Sequence, residues 1–129
     1  MKRYRSPHTV SFSNALPNFL SGKDSPRALL ERCLETIARR EKTVKAFVAL
    51  NVEGARAAAD ASTRRYKSGR PLSTVDGCPV GIKDIIATAD MPTQMNSPAF
   101  AGWQSGQDAA CVQALRKGGA IIIGKTVTT

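Results

Sequence analysis

Apolar side chains at Leu29, Leu30, Cys33, Leu34 and Ile37 recur at the three-and-four spacing of one helical stripe, and Ser25-Pro26 ahead of them offers a side-chain cap followed by a ring already set to helical φ. This predicts a helix from about Pro26 to Arg40. A second stripe, Ala55, Ala58, Ala59, Ser62 and Tyr66, predicts a helix over Glu53 to Lys67, with small residues that permit close packing and with Gly69 and Pro71 to end it. Between the two, Val44 to Leu50 is apolar and β-branched and fits either a short strand or a turn linking the helices. Residues 1–24 are rich in Ser, Pro and Asn with scattered Phe12, Leu16, Phe19 and Leu20, and predict an irregular arm.

The pattern then changes period. Pro79 to Ile86 is a short apolar run behind Asp76-Gly77 and suits a buried strand, whereas Ala87 to Gly106 has no period and reads as a long loop. Asp108 is placed to cap a helix through Ala109, Ala110, Val112, Leu115 and Arg116, which Gly118-Gly119 closes, and Ala120 to Ile123 is a second buried strand. Strand, helix and strand make a βαβ crossover, so the fold class is α/β with a parallel or mixed sheet. Two strands cannot bury Ile121, Ile122 and Ile123 on both faces. The expected organisation is an arm over 1–24 and, over 25–129, the N-terminal part of one domain whose sheet is unfinished at Thr129.

Charge divides the chain unevenly: 15 of the 19 Lys and Arg residues but only 6 of the 10 acids lie within residues 1–70. A net charge of +9 raises nucleic acid as a partner. The arginines Arg27, Arg32, Arg39, Arg40, Arg56, Arg64 and Arg65 lie on the two amphipathic helices, where charge forms a solvated face, and no stacking aromatics or zinc-finger spacing accompany them. Nucleic acid is therefore not the expected partner. Cys33, Cys78 and Cys111 are odd in number and far apart, with His8 the one histidine, so neither a metal site nor a disulfide framework is expected, and the three read as buried thiols. Lys2, Arg3 and Arg5 are not followed by the apolar core, about 7–15 residues long, of a secretory signal, and no apolar run spans a bilayer; the expected location is the cytoplasm.

Gly119 to Thr126 fits the phosphate-loop pattern G-x-x-x-x-G-K-[ST] letter for letter. Its four intervening residues, Ala-Ile-Ile-Ile, are strand-forming where a phosphate cradle needs a loop, and Val127-Thr128-Thr129 follows where a helix is required, so the match is rejected. Lys83 is the candidate for chemistry. At the end of a buried strand, low dielectric would favour its neutral form and make it a base for a serine nucleophile; an exposed strand-end lysine paired with Asp84 is the alternative.

Leu72 to Thr129 resembles the N-terminal part of the amidase signature family. The likeness rests on Gly77-Cys-Pro-Val-Gly-Ile-Lys83-Asp-Ile85, Thr88 to Thr93, Asn96-Ser97-Pro98, Asp108-Ala109-Ala110, Leu115-Arg116 with Gly118-Gly119-Ala120, and Gly124-Lys125-Thr126, in that order. The helices over residues 26–70 match that family in kind. The resemblance implies an α/β/α fold with a large mixed central sheet and hydrolysis of carboxylic amides by a Ser-cisSer-Lys triad, without a cofactor and with a small-molecule amide as substrate. It assigns the base to Lys83 alone. The two serines and the oxyanion-hole amides belong to a Gly/Ser-rich segment that this sequence does not contain, and Ser73, Ser97 and Ser105 stand outside any such context, so the expected chain is a truncated amidase inactive by itself. Two other readings stay open: a non-catalytic basic interaction protein, and a relative of the subunits of amidotransferases. Where members of the family more often carry glycine, this chain has Asn96, which tolerates positive φ better than most residues.

Overall fold

The computed structural model describes residues 11–129, so Lys2, Arg3, Arg5 and His8 lie outside the described residues. The arm is not irregular throughout. After a 3-10 turn at Phe12–Asn14 comes a short helix, α1 (Leu16–Ser21), closed by Gly22 at φ 78°. It forms because Phe19 has a seat: the ring is buried edge-on against Tyr66 with centroids 5.2 Å apart.

Helix α2 (Pro26–Val44) opens as its sequence predicts, with the Ser25 hydroxyl accepting from the Ala28 amide at 3.1 Å. It runs four residues beyond Arg40 because Glu41 and Lys42 are strong helix formers, and it stops where Lys45 turns left-handed at φ 52°. The ambiguous segment that follows is a strand, β1 (Phe47–Leu50), started by the Glu41 carboxylate accepting the Phe47 amide at 2.7 Å. Asn51 then caps α3 (Val52–Lys67) through the Gly54 amide.

Strand β2 (Pro79–Lys83) ends three residues early, because the Ile86 amide turns back onto the Lys83 carbonyl. Helix α4 (Ala110–Lys117) is capped at Ala109, not by Asp108, whose carboxylate instead accepts from the Ala89 amide at 2.7 Å and from Arg116 at 2.9 Å. Strand β3 (Ile121–Thr126) runs through the whole Gly124-Lys125-Thr126 triplet, which confirms that the phosphate-loop pattern is strand.

Among the described residues the sheet has the order β1-β3-β2, with β2 parallel and β1 antiparallel to the central β3. The third strand answers the packing problem of the isoleucines. Ile121 and Ile123 meet Leu30, Ala55 and Ala59 of α2 and α3 on one face, while Ile122 meets Ile82, Met91 and Val112 on the other. Alternation thus sends neighbouring isoleucines into two separate cores. The cysteines are less buried than expected: Cys33 and Cys78 are half-buried and Cys111 is exposed. Burial still pushes the Cys33 and Cys78 thiols above their ordinary value.

Candidate active site

Parallel pairing sets Lys83 opposite Thr126, and antiparallel pairing sets Thr126 opposite Phe47, so Phe47, Thr126 and Lys83 form one row across the three strands. Two residues back, Gly81 stands beside Gly124. Neither position has room for a side chain. A Cβ on Gly81 would lie 2.9 Å from Thr126 Cγ2, and one on Gly124 would lie 2.5 Å from the Ala49 carbonyl and 2.9 Å from the Phe47 ring. The two glycines therefore leave room for the Phe47 ring close to both strands, two residues before Lys83.

Lys83 itself is exposed, which corrects the expectation of a base held in a low-dielectric pocket. Its ammonium has no hydrogen-bond or ion-pair partner among the described residues. The alternative, a surface pair with Asp84, also fails. Strand alternation turns Asp84 to the opposite side, where it is 1% exposed and faces Lys125, itself fully buried, with Nζ 3.3 Å from Oδ1.

The Lys125–Asp84 cluster is the part of the site that sequence reasoning missed. Lys125 Nζ also donates to the Pro92 carbonyl at 3.0 Å and to Thr93 Oγ1 at 2.8 Å. Asp84 accepts the Gln94 amide on Oδ2 at 3.3 Å and the Met95 amide on its carbonyl at 2.9 Å, and it donates its own amide to the Thr126 carbonyl at 3.0 Å. A signal was present in the sequence. Lys125 follows three isoleucines and a glycine in one short strand, and a charge buried there needs a buried counter-charge.

The loop after β2 is shaped around Asp84. Met95 and Asn96 both take positive φ, 56° and 51°, so Asn96 does keep the left-handed geometry expected of it. The Thr93 amide donates to the Trp103 carbonyl, and an open hollow of about 290 Å³ lies between this loop and β1, lined by Val48, Asp84, Gln94, Asn96 and Ser97 among others. No serine is brought to Lys83 by a hydrogen bond among the described residues: Ser73 Oγ is spent on the Gly118 carbonyl and Ser105 Oγ on the Gln107 carbonyl. Among those residues no group of three or more His, Cys, Asp or Glu side chains is arranged to hold a metal, and no helix is long and apolar enough to cross a membrane.

Several arginines of α2 and α3 are paired with carboxylates. Arg27 grips both oxygens of Asp60 at 2.7 Å, Arg56 bonds Glu31, and Arg32 bonds Asp24. Hydrogen bonds from Arg56 and Arg27 hold Glu31 below the usual carboxylate range.

The sequence profile of the family described as Amidase matches residues 28–129. One of the subunits of the glutamyl-tRNA(Gln) amidotransferase of Chloroflexus aggregans is 36% identical over 118 residues, a stretch that is 92% of this chain and 24% of that protein. Its namesake from Mycobacterium tuberculosis is 37% identical over 103 residues, 79% of this chain and 21% of that protein. Among solved structures, native peptide amidase from Stenotrophomonas maltophilia superposes with a TM-score of 0.85 at 29% identity, over 92% of this chain and 25% of that one. The chain thus spans about a quarter of the length of the curated relatives it matches.

Proposed function

The chain belongs to the amidase family, and on that premise we propose that it carries the general base of an amide-hydrolysing site, Lys83, with the nucleophile contributed from outside these 129 residues. The observation that carries the reading is Lys83 alone at the open end of β2, on the Gly81-Ile82-Lys83-Asp84 motif, with its neighbouring carboxylate diverted to the other side of the strand. A lysine serves as a base only when its amine is free to accept a proton, and a carboxylate in contact would hold that proton in place. In the reaction a serine Oγ forms a bond to the amide carbonyl carbon while its proton passes through a second hydroxyl to the Lys83 amine. Collapse of the tetrahedral adduct then breaks the C–N bond as the departing nitrogen takes the proton back.

The substrate class is a carboxylic amide. The name shared by the curated relatives favours one more specific use, transamidation in an amidotransferase, in which the nitrogen released from one amide is passed to a second acyl group. The chain without a positioned serine is inactive in this reading, since base, nucleophile and oxyanion donors act as a unit.

The test joins residues 1–129 to the remaining sequence of a peptide amidase relative and follows release of ammonia from a simple primary amide. The expected result is turnover by the joined chain, none by the 129 residues, and a loss of at least about 100-fold in kcat for Lys83→Ala with unchanged far-ultraviolet circular dichroism. Amide cleavage by the 129 residues alone, or turnover retained in Lys83→Ala, overturns the reading.

A further inference from the structure

Lys125 is a charged group that the reaction above does not use, and stability does not account for it. A buried ammonium and a buried carboxylate each carry a desolvation penalty that an apolar pair of the same shape would avoid. What the pair does carry is connection. Through one Nζ it joins three parts of the site: β3, on which Lys125 sits, the Asp84 carboxylate at the end of β2, and the loop at Pro92 and Thr93. Asp84 is the residue directly after Lys83, so whatever fixes the Asp84 side chain also fixes what stands beside the Lys83 amine.

We propose that Lys125 is a positioning residue for Lys83: it holds the Asp84 carboxylate on the core side of β2, so that the amine of Lys83 leaves the opposite side with no anion against it. The proposal rests on the reading of Lys83 as the base. Among the described residues Asp84 Oδ1 has no hydrogen-bond partner and only Lys125 as a counter-charge, while Oδ2 accepts one long bond from the Gln94 amide at 3.3 Å, so the ion pair is the one charged contact that keeps the carboxylate inside. Without Lys125 Nζ the carboxylate is buried and uncompensated, and such a charge turns toward water. The cation adjacent to it in sequence is Lys83, and an ion pair there would hold the Lys83 amine protonated.

The test labels the 129-residue chain at neutral pH with the acetyl ester of N-hydroxysuccinimide and reads the modification rate of Lys83 by peptide mass spectrometry, relative to exposed Lys67 in the same molecules. In Lys125→Met the Lys83/Lys67 ratio is expected to fall at least severalfold. In Asp84→Asn combined with Lys125→Met the ratio returns to the wild-type value, because no carboxylate remains to pair with Lys83. A role in packing alone predicts that the double variant stays as altered as the single one. An unchanged ratio in Lys125→Met, or no recovery in the double variant, overturns the proposal.

Should Lys125→Met fail to fold by circular dichroism, Thr93→Val removes one acceptor from the ammonium while leaving both charges, and a smaller fall in the ratio is expected; no fall there overturns the proposal equally. Labelling reads the surroundings of the amine whether or not it is a base. An unchanged ratio alongside lost turnover in Lys83→Ala therefore counts against Lys125 alone, and the reverse pair of results against Lys83 as base.

Discussion

Asp76 shows how a single buried charge is kept in this chain. It is wholly inaccessible, yet its carboxylate accepts from Ser62 Oγ at 2.6 Å, from Arg65 at 2.7 and 2.8 Å and from the Leu72 amide at 2.8 Å, and its carbonyl accepts from the Tyr66 hydroxyl. Burial alone would push its proton affinity up; the hydrogen bonds from Arg65, Ser62 and Leu72 outweigh that and hold it below the ordinary carboxylate value. A group whose affinity is lowered on folding stabilises the fold above its unfolded pKa, about 4, and that contribution is lost as pH falls through the lower folded value. Asp76→Asn should cost about 3 kcal/mol at pH 7, where Arg65 loses its partner. Urea unfolding of the variant should also show a flatter loss of stability between pH 5 and pH 2 than the parent chain. Equal acid dependence in the two proteins would mean that another carboxylate controls the transition. The exposed pair of Arg56 with Glu53, by contrast, contributes little.

At the scale of elements, β3 is the strand on which the others depend, and Gly124 is its tightest point. A Cβ there would meet the Ala49 carbonyl, Leu50 Cδ2 and the Phe47 ring at 2.5 to 2.9 Å, and the carbonyl belongs to the backbone of a neighbouring strand, which cannot swing aside. Gly124→Ala should therefore destabilise the fold by about 1–3 kcal/mol, read as a lower urea midpoint. The same substitution at Gly69, where a Cβ meets nothing, carries only the cost of its φ of 70°. A wild-type midpoint for Gly124→Ala would show that β1 moves freely on β3.

These elements also mark what sequence could supply. The Leu30 and Ala59 stripes announced α2 and α3, because helical period and capping are local properties. The β2–α4–β3 crossover was legible for the same reason. β1 was ambiguous because VKAFVAL becomes a strand only by pairing with a partner some 75 residues further on. Lys83 could be singled out as a candidate from its motif, but its exposure and the burial of Lys125 depend on which face each residue presents and on what lies across the sheet, and neither is written in the local pattern.

At the scale of the whole molecule, the outer edges of β1 and β2 carry no further strand among the described residues, and apolar side chains on or next to these strands lie exposed: Val48, Leu50 and Ile85. Unpaired backbone donors and acceptors flanked by apolar surface form a template for another strand, and the charge does not prevent it. Positive charge is concentrated in residues 1–70, whereas residues 71–129, which contain β2 and β3, hold as many acids as bases. Repulsion therefore guards the helical half more than the open sheet. The 129-residue chain should self-associate at micromolar to millimolar concentration, with light-scattering mass rising with concentration. Val48→Lys together with Ile85→Lys, which places a cation at each edge without entering either core, should lower that mass toward the monomer while leaving the unfolding midpoint within about 0.5 kcal/mol of the parent. A parent chain that stays monomeric across that range would overturn the prediction; a variant that associates as strongly as the parent would place the contact away from these two edges.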